Sequence, residues 1–586
     1  MPAAVFGPLT RKNSSWQLQL DSPYASKQAH TLSEVVPVLE FAQDEANNGR
    51  YVAVLLAYES APAFDAALSS HDSSSFPLAW AASFNETEAI SQLERVPYSV
   101  SHWSPQIDQA EYSAAVHRIH ELIAAGDTYQ VNYTFPLTAT FAGAALSWYR
   151  ELCELQPVPF SVYLDLGTHK VLSLSPELFF ERRGDHIWTR PMKGTAGRGR
   201  TQAEDLRAAG WLKNSAKDRA ENVMIVDLLR NDLGKVSQSG SVRVSSLFEV
   251  EKYETVWQMT STIESTLRPG ASLVDLMRAL FPCGSITGAP KIRTTEIIRE
   301  LERFPRGTYT GTIGLIRPGG DCVFNVAIRT IVIDSKTNLA TFGVGGGVTI
   351  DSTPELEYEE CLVKSQFLRE RAREFDLFES ILLDQGEFFL LDRHLQRLRE
   401  SAEYFSFSIA EQAVIEALAQ AKKNNPTGKW KVRVAVTREG RVELRTTDIG
   451  GSSEQTRRVT LAATSSSSAN RFLYHKTTRR EFYDDEKRAH PEFDDVIFWN
   501  ERGEVTESTI ANVVIERDGK LITPPVDSGL LAGTFRDELI ATGKLEEGVI
   551  LLDELRTAKK LYLINSVRKW MLCELCDSAV EQPQRR

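Results

Sequence analysis

Cysteine is scarce in this chain. Its 586 residues include six, at Cys153, Cys283, Cys322, Cys361, Cys573 and Cys576, too few and too irregularly spaced for a disulfide framework, so reduced thiols are expected. Cys573 and Cys576 form a CxxC, but no second pair exists to complete a zinc site. Long apolar runs are missing as well: no stretch of about 18 apolar residues occurs, which argues against a membrane-spanning helix. No apolar segment follows the Arg11-Lys12 pair, so no secretory leader is expected and a cytoplasmic location is. Positive charge is not in excess. The formal net charge of -12 disfavours a nucleic-acid surface, although an acidic total leaves room for local basic pockets that take anionic substrates. Periodic glycine or proline and internal repeats are also absent, which excludes fibres and repeat arrays.

What is present reads as soluble globular protein, with 42% hydrophobic and 25% charged residues. The length exceeds what one core supports, so two or more domains are expected. The first 110 residues hold Ser-rich patches such as residues 69–75 and carry no recognisable chemistry. From Glu111 the texture changes: residues 112–125 predict a helix stopped by Gly126, and residues 129–134 predict a strand. A charged stretch at residues 369–374 precedes a new pattern, Phe375-Asp376-Leu377-Phe378-Glu379-Ser380. We therefore expect a first domain over residues 1–370 and an unrelated second domain over residues 376–586, in a mixed α/β (α+β) chain.

Five blocks of the first half concentrate acids and bases among glycines. They are Ser175-Pro176-Glu177, Pro191-Met192-Lys193-Gly194-Thr195, residues 221–232 with Glu221 at their head, residues 284–291 ending in Lys291, and Gly345-Gly346-Gly347 followed by residues 357–364. Glu357 and Glu360 are three apart, on one face if that segment is helical. Such oxygen ligands suit Mg2+, which takes one or two carboxylates and keeps water and substrate oxygens. By spacing alone, a solvated acidic helix face is the simpler reading.

Taken in order, the blocks resemble the chorismate-utilising enzymes, the family of anthranilate synthase, isochorismate synthase and aminodeoxychorismate synthase component I. The resemblance covers residues 111–367 and implies a four-layer α/β sandwich with a central cleft. By position it implies Mg2+ ligands at Glu221 and Glu360 with Glu357 outside them, and a general acid at Glu177. It also implies a carboxylate clamp from Arg329, the amides of Gly345, Gly346 and Gly347, and Lys364, with Tyr309 and Thr287 lining the pocket. Relatives that add water carry a Lys as base where this chain has Gln130, and an amide cannot deprotonate water, so isochorismate formation is disfavoured. Anthranilate synthases usually carry Ala where this chain has Lys193. A lysine there resembles the nucleophile of aminodeoxychorismate synthase, which adds to C2 so that ammonia enters at C4. Gln258 stands where many relatives have a His near the ring hydroxyl.

The second half carries Asp392-Arg393-His394-Leu395-Gln396-Arg397, His475-Lys476-Thr477, Val505-Thr506-Glu507-Ser508-Thr509 and Gly529-Leu530-Leu531-Ala532-Gly533-Thr534. Each is weak alone. Together, over residues 376–563, they resemble the fold-type IV pyridoxal phosphate (PLP) enzymes, which include branched-chain and D-amino acid aminotransferases and aminodeoxychorismate lyase. The resemblance implies two subdomains, Lys476 as the Schiff-base lysine, Arg397 on the cofactor phosphate and Glu507 on the pyridine nitrogen. Groups around Ser508, Thr509, Gly533 and Thr534 would complete the phosphate cup, and Arg433 would contact a substrate carboxylate. Fusion to the first half favours a lyase giving 4-aminobenzoate. The alternative is an anthranilate synthase fused to an amino-acid aminotransferase. No cysteine is set for glutamine hydrolysis, so a separate glutaminase subunit is expected as the ammonia source. Fold-type IV relatives are usually dimers, which leads us to expect self-association through the second half.

Overall fold

The computed structural model describes residues 3–7, 17–72, 76–88, 96–369, 374–450 and 455–576. The Arg11-Lys12 pair, residues 73–75 of the Ser-rich patch and residues 370–373 of the charged stretch lie outside them. The chain divides into two compact units: Met1–Gly197 with Ala209–Ala372, and Arg198–Ala208 with Arg373–Arg586.

The first unit is built on two ten-stranded sheets. Its layering follows from strands that are apolar on both faces. In Tyr51–Leu56, Val52, Val54 and Leu56 belong to one core, whereas Ala53 and Leu55 belong to another. Alternation along a strand sends successive side chains to opposite faces, so an unbroken apolar run marks a strand covered on both sides. Ala53 and Leu55 share a core with Val162, Leu164 and Val171 of the other sheet. On the outer faces, Leu32–Asn47, Ala216–Gly234 and Leu273–Leu280 cover one sheet. The other is covered by Gln109–Ala124, Ala145–Leu155 and Lys291–Leu301. The result is a four-layer α/β/β/α sandwich, the architecture the resemblance implies.

Local signals account for the elements that lead into the cleft. Asp108 caps the Gln109–Ala124 helix by accepting from the Glu111 amide, satisfying one of the orphan donors of the first turn. Gly126, at φ +84°, follows its end, a conformation glycine adopts without a Cβ penalty. The chain then enters the Gln130–Gly143 strand. The first 110 residues, opaque in sequence, supply Tyr51–Leu56 and Ala79–Phe84 to the second sheet.

The second unit holds two sheets. A four-stranded one runs Glu387–Phe388, Leu377–Asp384, Lys429–Val436, Val442–Asp448. Helices Leu391–Phe405 and Glu411–Asn424 share its core. An eight-stranded mixed sheet closes on itself where Val505–Ser508 pairs with Asn512–Arg517, Glu507 standing opposite Asn512. No helix among the described residues is long and apolar enough to cross a membrane, and the cysteines are all free thiols.

Candidate active sites

In the first unit, the Leu339–Val348 strand pairs along its length with Gln130–Gly143, placing Gly345, Gly346 and Gly347 opposite Thr134, Tyr133 and Asn132. On its other edge it pairs only through Ala340 to Phe342. The glycine run therefore has one edge free of a strand partner. Lys364 donates to the Gly345 carbonyl there at 2.9 Å, while the Thr134 and Asn132 amides turn away to Glu302 and to the Thr287 carbonyl. By the alternation of an antiparallel ladder, the N–H groups of Gly345 and Gly347 face the free edge, where they can receive an anionic oxygen.

Lys193 lies in the Met192–Gly197 strand, which belongs to the other ten-stranded sheet. A Cβ placed on Gly347 would sit 2.8 Å from the Lys193 Nζ and 2.6 Å from the Gln130 Nε2, so the bare glycine makes room for both. Gln130 is wholly buried, and neither its amide nitrogen nor its oxygen has a hydrogen-bond partner among the described residues. A buried amide without partners costs free energy, which a bound substrate would recover. Burial lowers the Lys193 ammonium below its ordinary range against the opposing pull of Glu221 and Glu177, which favours the free amine.

Glu177 follows the His169–Ser175 strand and is 3% exposed. Burial pushes its carboxyl up to about 7, with a hydrogen bond from Ser285 Oγ at 2.7 Å and the nearby Lys193 acting the other way. It is poised as an acid near neutrality. Glu221 stands on the Ala216–Gly234 helix, raised by burial and by Asp218 and Glu357 among its neighbours, while Lys193 and Lys217 pull it down. Glu357 and Glu360 stand on the Pro354–Val363 helix. Glu357 accepts from Ser352 Oγ at 2.7 Å, and its other oxygen would be 3.1 Å from a Cβ on Gly346. Glu360 pairs with Lys364 at 2.8 Å; burial works to raise its carboxyl, but Lys364 together with Lys193 and Lys217 outweighs it and holds the group low. Among the described residues, no three His, Cys, Asp or Glu side chains are grouped as a metal cluster.

Arg329, at φ +50°, has its guanidinium lowered by burial and one hydrogen bond to Gln156 at 3.3 Å. No carboxylate pairs with it among the described residues. Tyr309 lies against Gly343, where a Cβ would come 2.2 Å from its ring. Thr287 is buried and donates to the Cys283 carbonyl at 3.1 Å. Gln258 accepts from Thr195 Oγ1 at 3.1 Å, bracing the block that carries Lys193.

In the second unit, Lys476 has its ammonium lowered to about 7, chiefly by burial and then by Arg397. Arg397 forks onto Glu379, Nε to Oε1 at 2.8 Å and Nη2 to Oε2 at 2.7 Å, and donates Nη1 to the Ala532 carbonyl at 2.8 Å. Two of its five N–H groups are left for a phosphate. His394 joins Glu379 at 2.7 Å and Thr534 at 3.1 Å, tying the arginine to the N-terminus of the Thr534–Ala541 helix. Gly533 precedes that helix, and a Cβ there would come 2.1 Å from Asn512 Oδ1. Glu507 is raised to about 7 by burial and accepts from the Tyr483 hydroxyl at 2.7 Å. The Ser508 hydroxyl donates to Asp495 at 2.8 Å, and the Thr509 hydroxyl also engages Asp495, so both are turned inward and their part in a phosphate cup would fall to backbone groups. Arg433 stacks on Phe378 at 3.8 Å, with Lys476 Nζ 5.0 Å from the same ring.

Sequence reading missed Ser285, Glu379, His394, Tyr483 and Asp495. His394 stands three residues before Arg397, and that i,i+3 pair by itself reads more simply as a surface pair. Tyr483 and Asp495 carry no local mark.

Residues 10–370 match the chorismate binding enzyme family and residues 376–575 the class IV amino-transferases. Aminodeoxychorismate synthase component 1 of Bacillus subtilis is 40% identical over 289 residues, which are 49% of this chain and 61% of that protein. Anthranilate synthase component 1 of Aquifex aeolicus is 38% identical over 282 residues, 48% of this chain and 56% of that protein. The chain thus spans somewhat over half the length of these curated relatives. Anthranilate synthase component I of Streptococcus pneumoniae superposes with a TM-score of 0.53 at 22% identity, covering 61% of this chain and 93% of that one; this is a likeness of fold.

Proposed function

The chain belongs to the chorismate binding enzyme family, and from that premise we propose that it makes 4-aminobenzoate in two steps: amination of chorismate to 4-amino-4-deoxychorismate in the first unit, and elimination of pyruvate in the second. Similar identity to aminodeoxychorismate and anthranilate synthases does not choose the product. Lys193 does: its amine stands over Gly347 beside the unpartnered Gln130 amide, in a cleft that also holds the raised acid Glu177.

Chorismate is a dianion. Arg329, which lacks an acidic partner, and the free amides of Gly345 and Gly347 hold one carboxylate. Glu221 and Glu360, with Glu357 beside them, would hold Mg2+; acidic side chains from two helices around an anionic pocket suit a hard cation that takes one or two carboxylates. The cation would neutralise the second carboxylate and fix the ring. Glu177 gives its proton to the departing C4 hydroxyl, which leaves as water while the Lys193 nitrogen bonds to C2. Ammonia then bonds to C4 as the bond from Lys193 to C2 breaks, freeing the lysine.

In the second unit the residues fit PLP. Lys476 offers an amine that is partly neutral near pH 7, Arg397 is held rigid by Glu379, and Glu507 lies buried where a ring nitrogen can be matched. The cofactor supplies an electron sink when bound. Lys476 then carries away the C4 proton, and the ring becomes aromatic as pyruvate departs. Ammonia comes from a separate glutaminase subunit. Self-association through the second unit remains part of this reading.

The test is Lys476→Ala in the full chain, supplied with chorismate, Mg2+ and ammonium. It is expected to accumulate 4-amino-4-deoxychorismate and release no 4-aminobenzoate. Aromatic product at the wild-type rate would refute the second step, and anthranilate would refute the first.

A further inference from the structure

Residues 198–208 fall within the stretch matched by the chorismate family, yet they are part of the second compact unit. They are held there by specific contacts. The Arg198 guanidinium, 5% exposed, pairs with Asp205 at 2.6 Å, donates to the Tyr404 carbonyl at 2.9 Å and stacks over the Tyr404 ring at 4.6 Å. Tyr404 returns a hydrogen bond from its hydroxyl to the Gly199 carbonyl at 2.6 Å. Gly199 is bare for a reason: a Cβ there would meet the Asp205 amide at 2.2 Å. Arg200 pairs with Glu204 at 2.7 Å and Asp527 at 2.5 Å, and donates to the Tyr474 hydroxyl at 3.0 Å.

The grip falls on the two residues immediately before Lys476. His475 is 6% exposed, its ring 4.3 Å from that of Tyr404. Its Nε2 faces the Arg200 carbonyl at 3.1 Å and its Nδ1 the Ser401 hydroxyl at 3.0 Å. A carbonyl only accepts, so Nε2 carries the proton and Nδ1 accepts from Ser401. Burial holds the imidazole down at about 4, so this arrangement persists through neutral pH. On the other side of the lysine, Phe378 donates its amide to the Lys476 carbonyl at 3.1 Å, and Thr478 donates to the Asp376 carbonyl at 2.9 Å. Lys476 is therefore suspended between the start of the Leu377–Asp384 strand, which holds the backbone at and just after it, and a loop that fixes what precedes it, both remote in sequence.

We propose that residues 198–205 are a positioning element for Lys476: by clamping Tyr474 and His475 they hold the lysine where it meets the cofactor, so the second site is completed by a segment encoded inside the first half of the chain. The proposal rests on the assignment of Lys476 as the cofactor lysine. None of these groups touches the cofactor; they act through the backbone at residues 474–475. Removing the clamp leaves the amine present but lets it turn toward water, which undoes the burial that depresses it.

The experiment uses the full chain stripped of cofactor. Pyridoxal phosphate is added across a pH range, and uptake by Lys476 is followed by visible absorbance and by borohydride trapping of the labelled peptide. In the native chain the midpoint for uptake should fall near 7, where burial places the amine. In Arg198→Ala it should move upward toward the ordinary lysine range, and cofactor affinity should weaken on the order of tenfold, the usual cost of losing a group that orients a reacting side chain. Arg198→Lys should recover part of the shift, since it keeps the charge facing Asp205 but loses the planar donors and the stack. Chorismate amination should stay within about twofold of native in all of these. Arg200→Ala, partly exposed at 27%, carries the same expectation and decides the matter should Arg198→Ala not fold. An unchanged midpoint and affinity in Arg200→Ala and in a folded Arg198→Ala overturn the proposal. Uptake that survives Lys476→Ala instead overturns the assignment on which it rests.

Discussion

Ser285 donates to Glu177 and stabilises its ionised form, while burial opposes ionisation and prevails, leaving the carboxyl near 7. In the proposed reaction Glu177 must be protonated to expel hydroxide as water, so at constant free ammonia the amination rate should fall as pH rises through about 7. Ser285→Ala removes the one side-chain hydrogen bond favouring the anion, so the alkaline limb should move to higher pH; a limb that stays put or moves down would mean another group sets it. Glu177→Gln should lower the rate by about 10²–10⁴-fold, the usual worth of a positioned acid. The same shift acts on stability. The folded-state carboxyl lies above its ordinary 4.5, so the folded state binds more protons, and this group's contribution to stability declines as pH rises from about 4.5 to about 7. At this scale, the residues proposed to react were legible as candidates because the chemistry restricts their type: an amine at Lys193 and Lys476, an acid at Glu177. Their supports were not, since a serine, a tyrosine or a second glutamate can serve from any neighbouring strand. Glu379, within a block read only as the start of a new domain, proves to be the buried anchor of Arg397.

The glycine run shows how one element divides its labour. At Gly345 a Cβ would come 2.5 Å from the Tyr133 carbonyl, which is backbone and cannot yield cheaply. At Gly347 the nearest atoms it would meet are the tips of Gln130 and Lys193. Gly345→Ala should therefore destabilise the first unit, by about 1–3 kcal/mol as overpacking does. Gly347→Ala should melt near the native temperature but aminate chorismate on the order of 10²-fold more slowly, as small displacements of reacting groups do. Thermal melts paired with ammonia-dependent rates separate the two, and equal loss of stability at both positions would contradict the geometry. Elements were legible where local signals agreed. The helix before Gly126 and the strand after it appear close to where they were expected, as Gln109–Ala124 and Gln130–Gly143. The strands of the first 110 residues were not, because Tyr51–Leu56 is buried on both faces and so lacks the alternation that announces a half-exposed strand.

At the scale of the whole molecule, the cysteine with a glycine next to it, Cys283, is ill suited to hydrolysing glutamine. It is buried against Ser285, and burial together with Glu177 pushes its thiol up to about 12, whereas a nucleophilic thiol needs a depressed value. Assayed with chorismate, Mg2+ and PLP, the pure chain should form product from ammonium at alkaline pH and none from glutamine; efficient use of glutamine alone would refute this. The four layers of the first unit were legible through its motif blocks, but the placement of residues 198–208 in the second unit was not, since nothing in Arg198-Gly199-Arg200 distinguishes a loop of one domain from a piece of another. That placement bears on how such a protein could be taken apart. A gene fission between the two family matches, after residue 370, would give a downstream product that lacks residues 198–208 of its own compact unit, and an upstream product carrying them. Separating the two family regions at a single cut therefore divides the second compact unit.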